Sequence, residues 1–170
     1  MNFPKPGEYP DYYSVYIQHI PEDQDIMKVL EDGKNKLQKL LGSLPEEKGN
    51  YAYAEGKWSI KEVLGHMADV ERVMSYRAMS IARGEKQSLP GFEQDDYVNV
   101  AGFNKRSLTS LAEELLLIRN SSIALFRSFT GEDGLRWGKA NNYDSTARAY
   151  MFIIAGHELH HIKILKERYL

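Results

Sequence analysis

Residues 59–84 read SIKEVLGHMADVERVMSYRAMSIARG, with apolar side chains recurring at intervals of three and four. That spacing is typical of an α-helix with one face against a core, because the helix completes a turn every 3.6 residues. Ser59, with Glu62 three residues later, has the pattern of a capping box and predicts the start of the helix, and Gly84 predicts its end. The stretch therefore predicts a long amphipathic helix with defined ends.

Three other segments show the same periodicity, at residues 21–42, 107–129 and 145–170. No segment between them alternates apolar and polar residues as a half-buried strand does, so we predict no β-strand. Four helices of roughly 20–25 residues in one chain are typical of a four-helix bundle. We therefore predict an all-α fold, with residues 1–170 forming one domain.

Two connecting segments add detail to this prediction. Residues 85–105 join the second and third helices and are long for a tight turn, which predicts a long crossover connection with a short helix near residues 95–100. Pro4, Pro6 and Pro10 prevent a regular helix from starting in residues 1–20. Because this segment is also rich in tyrosine, we expect it to pack against the bundle.

Composition excludes several classes of function. The 22 basic and 24 acidic residues nearly balance, which disfavours a nucleic-acid or anionic-membrane partner. The absence of cysteine excludes disulfides, thiolate catalysis and cysteine-ligated metal sites. No stretch approaches the roughly 18 apolar residues of a membrane helix, and no apolar signal region follows the first residue. We therefore expect a cytoplasmic protein.

The candidate chemistry lies in AGHELHHIKIL, residues 155–165. His157 and His161 are one helical turn apart, so both imidazoles lie on one face and can bind one ion together. His160 falls on a more polar side of the helix. The inward arc comprises Tyr150, Ile153, Ile154, His157, His161, Ile164 and Leu165.

A third histidine, His66, lies at the edge of the apolar arc of the helix in residues 59–84. One histidine from this helix and two from the last one would form a face of three nitrogens in the bundle. Three protein ligands and an open position are typical of a catalytic metal site. We expect His19, in contrast, to be structural or at the surface.

Three alternatives to a catalytic metal site stay open. The histidines are also compatible with burial among hydrogen-bond partners without any metal. A bound ion is equally compatible with a structural role, or with a non-catalytic module that binds a small ligand. Finally, HELHH fits the HExxH motif of metalloproteases with Glu158 as the base, but few residues follow His161 and no strand is predicted to hold a peptide.

Two charged residues are further candidates for catalysis. Arg77 shares the inward stripe with His66 and is placed to meet an anionic substrate, or else to form a salt bridge with Glu71 or Asp96. Glu158 flanks the histidine arc, where it would act as a base or orient a histidine, or else be a solvated surface charge. The aromatic candidates to cover the site, or simply to pack in the core, are Trp58, Tyr12 and Tyr13.

Three long stretches of the chain resemble the DinB-like superfamily, which includes the YfiT-type metal-dependent hydrolases. They are PKPGEYPDYYSVYIQHIPEDQDI (4–26), the segment from YAEGKWSIKEVLGH to SLPGF (53–92), and FIIAGHELHHIKILKERY (152–169). The resemblance covers essentially the whole chain, and its most specific parts are KWSIKEVLGH and GHELHHIKIL.

This resemblance implies a bundle with a long crossover, a homodimer, and one divalent metal ion, nickel or zinc, held by three histidines. The family's motif positions correspond here to His66, His157 and His161. Some members resemble transferases that join a low-molecular-weight thiol, such as bacillithiol or mycothiol, to an electrophile. We therefore expect a small-molecule substrate and a metal-activated thiol or water, which would give S-transfer or hydrolysis.

Overall fold

The computed structural model describes residues 1–170, most of them helical. A two-stranded antiparallel hairpin comprises β1 (Trp137–Ala140) and β2 (Tyr143–Thr146), and a π-helical turn at Leu165–Tyr169 continues the last helix. Short 3-10 turns lie at Asp11–Tyr13, Glu46–Lys48 and Phe103–Lys105. The α-helices are α1 (Ser14–Ile17), α2 (Ile26–Gly42), α3 (Ile60–Ala82), α4 (Gln94–Ala101), α5 (Leu108–Arg127), α6 (Gly131–Leu135) and α7 (Ala147–Ile164).

The four long helices α2, α3, α5 and α7 form the bundle. Helix α3 packs on α5 and α7, and α2 packs on the same two helices, so α2 and α3 lie diagonally opposite each other. This arrangement confirms the predicted four-helix bundle. No helix has both the length and the apolar character needed to cross a membrane.

Neighbouring side chains define the helix directions. Glu71 faces Arg119 and Ser75 faces Ser122, so α3 and α5 run parallel. Two parallel helices that follow each other in sequence need a connection as long as the bundle, and residues 83–107, which contain α4, provide it. The predicted long crossover is therefore present.

The start of α3 follows the capping pattern seen in the sequence. The Ser59 hydroxyl accepts a hydrogen bond from the Glu62 amide, and the Glu62 carboxylate accepts one from the Ser59 amide. Helix α2 differs from the prediction, because it begins at Ile26 rather than at Pro21. The cap there is Asp25, whose carboxylate accepts a hydrogen bond from the amide of Met27.

The prediction that no strand is present was wrong. Strands β1 and β2 are each four residues long, too short for alternation to be recognised in the sequence. Asn141 and Asn142 join them with φ angles of 51° and 66°, as a two-residue hairpin turn requires. Because β2 includes Ser145 and Thr146, α7 begins at Ala147, two residues later than predicted.

The first twenty residues pack along α7. Tyr13 and Ile17 are buried there, and Tyr16 contacts α7 through its backbone. Gly156 permits this approach, because a Cβ atom at that position would collide with the Tyr16 carbonyl. The N-terminal segment thus covers the face of α7 beside His157.

The apolar interior is divided into two clusters. One contains Leu30 of α2 and Ile153 of α7, and the other contains Leu37 of α2 and Ile162 of α7. Between these levels the bundle carries a layer of buried polar side chains. Its members are His66, Glu71, Arg119, His157, Glu158 and His161.

Candidate metal centre

Three histidines converge in the polar layer of the bundle. The Nε2 atom of His157 lies 3.1 Å from Nε2 of His66 and 3.1 Å from Nε2 of His161. One ring nitrogen from each residue lies within 4.8 Å of the other two. The spacing of four residues along α7 aligns His157 with His161. Helix α3 runs antiparallel to α7, because the Tyr169 hydroxyl just after α7 donates to the Trp58 carbonyl just before α3, and this packing brings His66 to the other two histidines.

All three imidazoles are buried and uncharged at neutral pH. Burial lowers the pKa of His66 to about 4 and that of His161 to about 3. Burial also holds the pKa of His157 well below its usual value, and the neighbouring His161 and His66 contribute to that shift. Neutral imidazoles are the form that binds metal, so no proton has to be lost before an ion binds.

The donor set fits a divalent cation. Zn–N bonds of about 2.0–2.1 Å in tetrahedral geometry separate neighbouring ligand nitrogens by roughly 3.3 Å, close to the two observed separations of 3.1 Å. Both short contacts share the Nε2 atom of His157, which carries at most one proton and so cannot donate to both neighbours. The Nδ1 atom of His161 is also buried without a partner.

The two other histidines of this region lie outside the three-nitrogen group. His160 is half-buried, with its ring 5.3 Å from that of Tyr16 and 5.7 Å from that of His19. The ring of Tyr16 also stands edge-on to His157 at 5.0 Å. Tyr16 therefore contacts both His160 and the buried cluster, and the ring of His160 itself lies 5.3 Å from that of His161.

A cavity of about 420 Å³ opens beside His157. Its wall combines the N-terminal segment, α3, the crossover, the hairpin turn and α7, and more than half of its lining residues are hydrophobic. Trp58 lies elsewhere, against His66 with a separation of 4.6 Å between the ring centres. The cavity is lined by Tyr12, Tyr13, Tyr16, Val70, Met74, Arg77, Phe92, Glu93, Gln94, Asp95, Asn141, Ile153 and His157.

Arg77 lines this cavity and is almost fully buried. Its Nη1 donates to the hydroxyl of Tyr13 at 3.3 Å, and its Nη2 donates to the carbonyl of Pro90 at 2.7 Å. The salt bridge to Glu71 considered from the sequence is not formed, because Glu71 pairs with Arg119 instead. Arg77 thus stands in the same cavity as His157 without a carboxylate partner.

Glu158 is placed differently from the sequence expectation of a base at the site. Its side chain is buried, but it points toward α2 and α5 and does not line the cavity. There it lies 2.7 Å from Nη1 of Arg119, which also binds Glu71 through two hydrogen bonds of 2.9 Å. Burial raises the pKa of Glu158, although Arg119 opposes this shift.

Arg119 and Glu71 are polar residues that the sequence analysis did not select. Both interrupt apolar stripes: Arg119 follows Leu111 and Leu115 at intervals of four, and Glu71 follows Met67 at the same interval. Charged residues in an inward stripe are seldom buried unless they are paired. Their positions in the apolar stripes were therefore the sign, in the sequence, of a buried ion pair. Their complementary charges on neighbouring helices would have indicated the pair.

The family model of the DinB superfamily matches residues 30–165, which is most of the chain and includes all three histidines. The chain belongs to the DinB superfamily. This result confirms the resemblance recognised in the sequence.

Two individual proteins are similar to most of the chain. A protein of Oceanobacillus iheyensis named "putative metal-dependent hydrolase" is 25% identical over 148 residues, which cover 86% of this chain and 85% of that protein. YfiT from Bacillus subtilis, described as "a probable metal-dependent hydrolase with an unusual four-helix bundle topology", has a TM-score of 0.75 at 17% identity. That match covers 96% of this chain and 89% of YfiT.

A more distant structure is that of the mycothiol-dependent maleylpyruvate isomerase. Its TM-score is 0.68 at 10% identity, and the match covers 86% of this chain and 61% of the isomerase. At these identities the two structural matches show a shared fold.

Proposed function

We propose that this DinB-superfamily protein is a divalent-metal-dependent enzyme in which His66, His157 and His161 hold the ion. The observation that supports this most directly is the convergence of three buried, neutral imidazoles beside a cavity large enough for a small molecule. Zinc and nickel are the candidate ions, because imidazole nitrogen suits both. The name of the Oceanobacillus relative agrees with metal dependence.

A divalent ion with an open position supplies one kind of chemistry, a thiolate or hydroxide nucleophile at neutral pH. The three histidines carry no charge of their own, so they leave the positive charge of the ion undiminished. The chain contains no cysteine, so a thiol at this site has to come from a substrate.

The cavity residues would bind and orient that substrate. Tyr13 and Tyr16 close the side formed by the N-terminal segment, and Arg77 provides a buried positive charge. The carboxylates in the wall belong to Glu93 and Asp95, which are exposed. The wall therefore offers no buried carboxylate as a base for either nucleophile.

The leading reaction is S-transfer to an electrophilic carbon. The thiol loses its proton to solvent, its sulfur forms a bond to carbon, and the bond from that carbon to the leaving group breaks. The mycothiol dependence of the isomerase with the same fold supports this choice. Hydrolysis by an activated water is the second candidate, supported by the names of the Oceanobacillus protein and YfiT.

The test compares untagged protein loaded with zinc or nickel against metal-free protein. Low-molecular-weight thiols are assayed with monochlorobimane, and simple esters and amides are assayed for hydrolysis. We expect metal-dependent S-transfer that His66→Ala abolishes. Failure of the wild-type protein to retain about one ion per chain would contradict the proposal.

The non-catalytic alternative makes a different prediction. An ion that only stabilises the fold should lower the melting temperature strongly when it is chelated, with no turnover of any thiol or ester. Homodimer formation and a cytoplasmic location stay predictions from the sequence.

A further inference from the structure

Three arginines are buried in this bundle, and two of them are paired with carboxylates. One of these two is Arg148, which pairs with Glu8. Arg119 is 1% exposed and is held by Glu71 and Glu158. Arg77 is 3% exposed, but it forms no salt bridge, and its Nε has no hydrogen-bond partner. A buried guanidinium without an anion is costly, because its charge has left water without compensation.

The surroundings of Arg77 hold the side chain in place without neutralising it. Its contacts are the Tyr13 hydroxyl, the Pro90 carbonyl, the Met74 sulfur and the ring of Phe92, whose centre lies 5.8 Å from Cζ. All four partners are uncharged and fix the guanidinium in the wall of the cavity. Such an arrangement is preorganised for an anion that arrives with a ligand.

We propose that Arg77 binds a carboxylate of the substrate, so that the substrate is a carboxylic acid whose reactive group lies at the other end, near His157. The proposal rests on the function proposed above and names the class of molecule that this site takes. The same bundle contains one pair of this kind, in which Arg119 binds the carboxylate of Glu71 through its Nε and Nη2 atoms.

The charges in the wall favour a ligand with a single negative charge. Apart from His157, Arg77 is the one basic side chain that lines the cavity. Glu93 and Asp95 line the same cavity and would repel a second negative charge. These charges select a carboxylate over a phosphate dianion.

The positions along α3 give the approximate length of the ligand. Met74 marks the level of the carboxylate, because the Arg77 Nη1 atom lies 3.8 Å from the Met74 sulfur. His66 marks the level of the reactive group, and the two residues are eight positions apart on α3. With a rise of 1.5 Å per residue, the carboxylate and the reactive group would be separated by on the order of 10 Å. Val70, Met74 and Ile153 line the space between them, so the middle of the ligand is expected to be apolar.

The test uses 8-mercaptooctanoate and 8-mercapto-1-octanol, which differ only in the terminal group, with calorimetry on zinc-loaded protein. We expect the acid to bind about 10- to 100-fold more tightly, the range for a charge-assisted hydrogen-bonded pair. Arg77→Gln should reduce that ratio to below about 3, chiefly by weakening the binding of the acid. Arg83→Gln, which removes an exposed arginine outside the cavity, should preserve the preference.

Octanoate and 1-octanol with metal-free protein separate this proposal from the metal proposal. If the three histidines bind no metal, a preference for octanoate that depends on Arg77 still supports the carboxylate site. Equal binding of acid and alcohol by the wild-type protein would overturn it, as would a preference that survives Arg77→Gln.

A measurement on the wild-type protein covers the case in which Arg77→Gln does not fold. The NMR resonance of the Arg77 Nε–H group should shift on titration with octanoate and stay unchanged with 1-octanol. A resonance that responds to neither compound while octanoate binds would place the carboxylate elsewhere and overturn the proposal.

Discussion

The carboxylate of Glu158 lies 2.7 Å from the guanidinium of Arg119, and both side chains are almost completely buried. Glu158 directly follows His157 on α7, whereas Arg119 comes from α5. Arg119 also holds Glu71 of α3, the helix that carries His66. A single arginine therefore connects both helices that supply the three histidines.

Removal of Arg119 should be strongly destabilising. Arg119→Met leaves two carboxylates buried without a counter-ion, and we expect the free energy of unfolding to fall by about 3–5 kcal/mol. Urea denaturation of the metal-free protein measures this loss. Arg127→Met on the same helix breaks only an exposed pair with Glu31 and should cost less than about 1 kcal/mol. Equal losses in the two variants would contradict the structural role of Arg119.

Metal retention should depend on three of the five histidines. His66→Ala, His157→Ala and His161→Ala should each reduce the bound ion from about one per chain to below about 0.1 after dialysis against a chelator, because each removes a ligand from a three-ligand site. Elemental analysis measures the content. His160→Ala is the matched control, since it removes a neighbouring imidazole of α7 outside the cluster, and it should retain the ion.

The metal-free protein should lose stability on mild acidification. The folded pKa values of His66, about 4, and His161, about 3, lie below the unfolded value of about 6.5, so the unfolded chain binds more protons in this range. Their contribution is complete above pH 6.5 and is lost as the pH falls toward those values. The slope should reach at most about 1.4 kcal/mol per pH unit for each histidine.

Urea denaturation between pH 7.5 and pH 5 tests this dependence before most carboxylates titrate. His66→Gln should flatten the curve relative to the wild-type protein. His160→Gln should change it less, because His160 is only half-buried. A wild-type stability that does not vary over this range would show that the buried imidazoles are not held neutral.

The contact between the N-terminal segment and α7 should tolerate no side chain at Gly156. Gly156→Ala introduces a Cβ atom that collides with the Tyr16 carbonyl, and we expect a loss of about 1–3 kcal/mol as the segment shifts. Gly42→Ala, at the end of α2, meets no atom within 4 Å and should be neutral or slightly stabilising. Thermal melts compare the two, and the prediction fails if both variants behave alike.

The long helices and the inward positions of the three histidines could be predicted from the sequence, because each prediction rests on the spacing of residues along a single helix. The capping box at Ser59 and the interval between His157 and His161 are both local patterns. The hairpin was missed because four-residue strands carry too little alternation. The burial of Glu158 was also missed, since its partner Arg119 lies on another helix, and helical position alone does not reveal which neighbour a side chain meets.

The parallel arrangement of α3 and α5 has a consequence for engineering. The segment that spans the bundle between them also contributes one side of the cavity beside His157, through Phe92, Glu93, Gln94 and Asp95. None of the three histidines belongs to that segment. Exchanging this stretch between homologues is therefore expected to change which ligands fit that side of the cavity, with the three histidines and Arg77 left intact.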